Sequence, residues 1–141
     1  IVLRDRKMSL QFKFDTILEN ATPEVVLIFA KYKGKWLFCK HKERTTYEIC
    51  GGHVERGETP MQAAKRELYE ESGAIAKTMC FKGYVTKTDD YSKQIMAIFS
   101  AEIKSFDSLP NYEMKEKQLF ETFPQNTTYP ETYEVILNHF F

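Results

Sequence analysis

The sequence predicts a mixed α/β domain, in which strand-like runs interleave with two helical segments along 141 residues. Three observations carry that prediction. Residues 59–73 open on a T-x-x-Q capping pattern and close on a glycine. Residues 23–30 (PEVVLIFA) are a short apolar, β-branched run with proline at its head, as a buried strand requires. Residues 130–140 place Tyr133, Ile136, Leu137 and Phe140 at i, i+3, i+4 and i+7, the stripe of an amphipathic helix. The length suits one core and is short for two, so a single domain over residues 1–141 is expected.

The elements follow in order. Residues 1–12 carry charge throughout and lack the apolar block of a signal peptide; the first strand is the run at 23–30. Lys33, Gly34 and Lys35 make a turn, and residues 35–40 (KWLFCK) read as the returning strand of a hairpin. Residues 45–50 alternate well enough for a further short strand. Thr59 is then a helix N-cap, Pro60 suits the first helical position, and Gly73 supplies the left-handed stop. Residues 75–87 and 94–103 read as longer strands about a polar turn at Asp89 and Asp90, and residues 105–116 as loop.

Composition removes several classes of function. Lys plus Arg and Asp plus Glu balance at 20 each, so bulk charge points neither to nucleic acid nor to an acidic membrane. No apolar run has the length of a membrane span. Cys39, Cys50 and Cys80 are odd in number and contain no CxxC pair, which argues against a disulfide framework and a zinc site and for a reduced, cytoplasmic setting. His41 and His53 have no His or Cys at metal-site spacing and read as polar surface groups.

The 59–73 helix carries the chemistry. Glu67, Glu70 and Glu71 fall at i, i+3 and i+4, so three carboxylates share one face, beside an apolar face of Met61, Ala64 and Leu68. Like charges at that spacing repel by a few tenths (~0.2–0.5) of a kcal/mol per exposed pair. Lys65 and Arg66 relieve part of this, and a divalent cation would relieve more. Hard carboxylate oxygens suit Mg²⁺ or Mn²⁺. Taken alone, a solvated acidic face accounts for the pattern at least as well.

From Gly52 the residues run G-x5-E-x7-R-E-L-x-E-E-x-G, namely Gly52, Glu58, Arg66, Glu67, Leu68, Glu70, Glu71 and Gly73. This resembles the signature of the Nudix (MutT-like) hydrolases, with the box running from Gly52 to Ala74; Ala74 departs from the larger aliphatic residue of the pattern. The resemblance implies an α/β/α sandwich with a mixed sheet and a loop–helix–loop catalytic motif. It implies hydrolysis of nucleoside diphosphates linked to a further moiety. By the same resemblance Glu70 and Glu71 would be metal ligands, with Glu67 a further ligand or the base, and the Gly52 carbonyl would complete the shell. Arg66 would hold the carboxylates by ion pairing, while Glu58 and Gly73 would support the motif. Glu113 looks like the extra glutamate that Bacillus-type 8-oxo-dGTP diphosphatases carry before an L-F-x-x-L-P-like segment, here residues 119–124, and competes with Glu67 as base; Glu116 is its rival.

Substrate contacts are less specified. Lys40, Lys42 and Arg44 form a basic cluster that suits phosphate or a solvated loop equally. Trp36, Tyr47, Tyr84, Tyr91 and Phe99 could stack a base, although aromatics also fill α/β cores; Tyr47 and Tyr91 are the candidates retained, with Lys40 and Arg44. The expected reaction is metal-dependent hydrolysis of a nucleoside triphosphate or related pyrophosphate, with an 8-oxo-dGTP sanitising role in view. RNA 5′-pyrophosphate removal, the one role that would bring a nucleic acid, and diadenosine polyphosphate hydrolysis use the same core. A non-catalytic nucleotide sensor is the competing class; it ordinarily lacks box carboxylates that are all present here. The expected partner is a small nucleotide rather than a membrane, and the chain a monomer or homodimer.

Overall fold

A computed structural model describes residues 9–108 and 115–141. Among these residues seven strands make one mixed sheet: β1 (Gln11–Asp15), β2 (Val25–Tyr32), β3 (Lys35–His41), β4 (Cys50–His53), β5 (Ala74–Thr88), β6 (Lys93–Phe106) and β7 (Lys115–Phe120). Helix α1 (Pro60–Ser72) packs on one face and α2 (Pro130–Phe140) on the other, giving an α/β/α sandwich. The order across the sheet is β1-β5-β6-β2-β3-β7, with β4 beside the first half of β2. The β2–β6 pair is parallel and the other ladders are antiparallel.

Strand alternation divides β2 and β6 between two cores. Val26, Ile28, Ala97 and Phe99 face α1, where they meet Ala63, Ala64 and Leu68. Val25, Phe29, Met96 and Ile98 face α2, where they meet Tyr133 and Ile136. The buried Tyr133 hydroxyl accepts a 3.1 Å hydrogen bond from the Ile49 amide, and burial pushes its pKa up. That bond ties α2 to the residue that precedes β4.

The caps of α1 follow the sequence. Thr59 Oγ1 accepts from the Gln62 amide at 3.1 Å, and Gln62 Oε1 accepts from the Thr59 amide at 2.9 Å. Gly73 ends the helix at φ 74°, a left-handed conformation that costs glycine little. The terminal Ser72 carbonyl also accepts from Lys117 Nζ of β7 at 3.3 Å.

Three local expectations are corrected. Residues 45–49 do not form a strand, and β4 starts only at Cys50. The segment changes partner too quickly to build a ladder: Glu48 bridges Cys39 and Tyr47 bridges Thr127. Residues 105–116 are not loop at either end, since β6 reaches Phe106 and β7 begins at Lys115. The edge strand β7 opens on charged residues of low β propensity, and its ladder to β3 decides the outcome. β1 is an element that the charged N-terminal composition hid.

Candidate active site

Arg66 organises the acidic face. Its Nε and Nη2 donate to the two oxygens of Glu58 at 2.6 and 2.9 Å, a bidentate fork. Nη1 donates to Glu67 at 2.6 Å and to Glu70 at 3.3 Å. Nη2 also donates to the His53 carbonyl at 3.0 Å. These bonds engage all five guanidinium N–H donors. Glu55 joins as an ion pair at 3.3 Å. The loop between β4 and α1 is thereby tied to the helix that follows it.

The electrostatics follow from that packing. Hydrogen bonds from Arg66, and then from the Glu55 amide, hold the Glu58 carboxyl down to about 2. The same carboxylates, Glu58 foremost, push the Arg66 pKa up. One guanidinium faces Glu55, Glu58, Glu67 and Glu70, so the cluster keeps a surplus of negative charge. Glu70 is the accessible member at 56 % exposure, against 15 % for Glu67.

Two glycines bring backbone against these acids. The Gly51 amide donates to Glu71 Oε1 at 2.9 Å. A Cβ built on Gly52 would collide with the Glu67 carboxylate. No side chain larger than hydrogen fits there without displacing Glu67. The donor set of Glu67, Glu70, Glu71 and the adjacent Gly52 backbone is all hard oxygen, which suits Mg²⁺ or Mn²⁺ chemically. In this arrangement no three carboxylate, imidazole or thiol side chains among the described residues converge as a metal site. Arg66 and the Gly51 amide draw the carboxylates toward themselves instead.

The basic and aromatic candidates have other surroundings. Lys40 pairs with Glu116 at 3.0 Å and donates to the Arg44 carbonyl at 3.2 Å. Arg44 pairs with Glu48 at 3.0 Å. Tyr47 packs edge-on against Phe120 at 4.9 Å. Tyr91 is 88 % exposed in the β5–β6 turn, where its amide and that of Ser92 donate to Asp89 and lower the Asp89 pKa. Glu113 lies outside the described residues.

A cavity of about 710 Å³ opens along β1, β5, β6 and the β1–β2 loop, lined in part by Lys13, Asp15, Thr86, Thr88, Lys93 and Ile95. Alternation along β6 puts Ile95 on the face of Ala97 and Phe99, the face that α1 covers. A hydrogen-bonded row links this cavity to the box: the Glu24 amide donates to the Ile95 carbonyl and the Val54 amide to the Glu24 carbonyl, each at 2.9 Å. Two strand spacings separate Ile95 from Val54, roughly 10 Å. The pairing of Lys13 with Thr86 across β1 and β5 assembles this cleft, and such register has no local signal in residue type.

The family model described as the NUDIX domain matches residues 17–127, which include every element of the acidic site. The chain belongs to the Nudix hydrolase family. It is 30% identical over 130 residues to the Bacillus subtilis protein YtkD, whose name proposes 8-oxo-dGTP diphosphatase activity; the match covers 92% of this chain and 82% of that one. An RNA pyrophosphohydrolase of Mannheimia succiniciproducens is 39% identical over 51 residues, which are 36% of this chain and 26% of that protein. Among solved structures, a mutant of a Bacillus subtilis pyrophosphohydrolase superposes with TM-score 0.79 at 26% identity, covering 93% of this chain and 89% of the other. In this Nudix chain Glu67, Glu70 and Glu71 of the box lie on α1 with Glu58 in the loop before it, the Gly51–Gly52 backbone lies against Glu71 and Glu67, and Arg66 ties the helix to Glu58 and the His53 carbonyl. No helix among the described residues is long and apolar enough to cross a membrane.

Proposed function

We propose that this chain hydrolyses the pyrophosphate link of a nucleoside triphosphate or a related nucleoside diphosphate derivative. The observation that carries the reading is the Arg66 clamp, which gathers Glu58, Glu67 and Glu70 around one guanidinium and leaves net negative charge beside Gly52. Glu70, Glu71 and the Gly52 carbonyl would hold a divalent cation, Mg²⁺ or Mn²⁺, which leaves Glu67 for the proton. When bound, the cation neutralises pyrophosphate oxygens and favours attack by water.

The chain's own groups do the rest. Arg66 orients Glu67 and Glu70, and the Gly51 amide orients Glu71. Glu67 takes the proton of the attacking water in this reading, with Glu113 as the rival base. The cleft of Lys13, Thr86, Lys93 and Ile95 receives the nucleoside end, since it has room for a base and sugar and is linked to the box by hydrogen bonds. The similarity to YtkD supports an oxidised deoxynucleoside triphosphate as substrate. The likeness to pyrophosphohydrolases, one of them acting on RNA, favours a second reading in which an RNA 5′ end is trimmed.

The test is a panel of dGTP, 8-oxo-dGTP, ADP-ribose, diadenosine tetraphosphate and 5′-triphosphate RNA with Mg²⁺, scored by rate and by phosphate product. Hydrolysis of 8-oxo-dGTP well above dGTP supports the first reading, and release of pyrophosphate or phosphate from RNA the second. Tight nucleotide binding without hydrolysis of any member overturns both.

A further inference from the structure

Two buried thiols lie against each other beneath the catalytic helix. Cys39 Sγ is 3.3 Å from Cys50 Sγ, with the residues 1% and 0% exposed. Both belong to the core cluster that contains Ala63, Ala64 and Leu68 of α1. Hydrolysis of a pyrophosphate uses neither thiol. Their position relative to Glu71 is nevertheless close on two sides: Cys39 Sγ reaches the Glu71 carbonyl at 3.6 Å, and the residue after Cys50 holds the Glu71 carboxylate through its amide at 2.9 Å.

We propose that Cys39 and Cys50 are a redox-modifiable pair, oxidised to a disulfide by a small hydroperoxide, and that the link displaces Glu71 and lowers turnover. One sulfur attacks the peroxide, forming an S–O bond as O–O breaks and an alcohol or water leaves. The second sulfur attacks that sulfenic acid, forming S–S as water departs with the remaining proton and hydroxyl. Two thiols are oxidised and one peroxide is reduced.

Geometry favours the link. The contact must shorten from 3.3 Å to the disulfide length of about 2.05 Å, roughly 1.2 Å of movement. β4 is only four residues long, and Gly51 transmits its movement to the carboxylate. The nearest exposed segment is 42–45, and a peroxide would reach the thiols from there by local opening of the Cys39–Glu48 and Tyr47–Thr127 bridges that follow it. The third thiol, Cys80, is exposed and stands apart on β5.

The experiment uses Cys80→Ser protein treated with hydrogen peroxide and analysed by intact mass, by peptide mapping and by turnover of whichever nucleotide it hydrolyses. Expected are the loss of two hydrogens, a peptide joining residues 39 and 50, and a fall in turnover of about tenfold or more, reversed by dithiothreitol. Cys39→Ala and Cys50→Ala in the same background should each lose the response; the mass readout needs neither variant to fold. Thiols that stay reduced under peroxide that consumes Cys80 in the wild type overturn the proposal, and so does a link that leaves turnover unchanged. The turnover arm rests on the hydrolase reading and the mass arm does not, so the two failures are distinguishable.

Discussion

The amide of Gly51 donates a 2.9 Å hydrogen bond to the carboxylate of Glu71, twenty residues later in the chain. A strand terminus and a helix are thereby fixed to one another at the point where the acids collect. Arg66 makes the complementary tie from the helix back to the loop, through Glu58 and the His53 carbonyl. Backbone and guanidinium thus hold the acidic face from both sides.

Arg66→Lys tests the clamp. Lysine keeps the charge but loses the planar fork that serves Glu58, Glu67, Glu70 and His53 together. A fall in kcat on the order of 100-fold is expected, as for misplaced catalytic groups, with far-UV circular dichroism retained. Unchanged kcat would show that the fork does not position the acids.

Gly52→Ala tests the close approach. The added methyl group meets the Glu67 carboxylate, which must swing away. Turnover should drop by roughly 10–100-fold while the melting temperature changes little by comparison. Full activity in steady-state assays would mean that Glu67 can move without consequence.

Glu58 gives a pH signature. Its carboxyl is held at about 2 against an ordinary 4.5, so the folded state favours the ionised form. Its contribution to stability is full above about 4.5 and is lost as pH falls toward about 2. Glu58→Gln should therefore melt below the wild type at pH 7, with the gap closing between those values. A gap that widens on acidification, measured by thermal melts across pH, contradicts the assignment.

Legibility in the sequence followed the range of the interactions. Helix α1 was readable because Thr59, Pro60, Gln62 and Gly73 act within one turn of its ends. The acids were readable because helical spacing alone puts Glu67, Glu70 and Glu71 on one side. β1 and β7 were not, since QFKFD and KEKQLF are polar enough to pass for loop until β5 and β3 pair with them. The Gly51 amide and His53 carbonyl escaped notice for a related reason: backbone partners leave no mark in residue type. The cleft of Lys13 and Lys93 depends on strand register across the sheet, which no local periodicity specifies.

The central claim is that Glu70 and Glu71 hold the divalent cation on which hydrolysis depends. The direct measurement is kcat against Mg²⁺ concentration for the wild type, Glu70→Gln and Glu71→Gln, with EDTA controls, on the best substrate of the panel. Both variants keep an amide oxygen, so Gly51 retains an acceptor at position 71 and the fold should stand. The expected result is wild-type activity abolished by EDTA and restored by Mg²⁺, with kcat lower by about 100–1,000-fold in each variant. Turnover that ignores EDTA, or variants that match the wild type at every Mg²⁺ concentration, would contradict the claim.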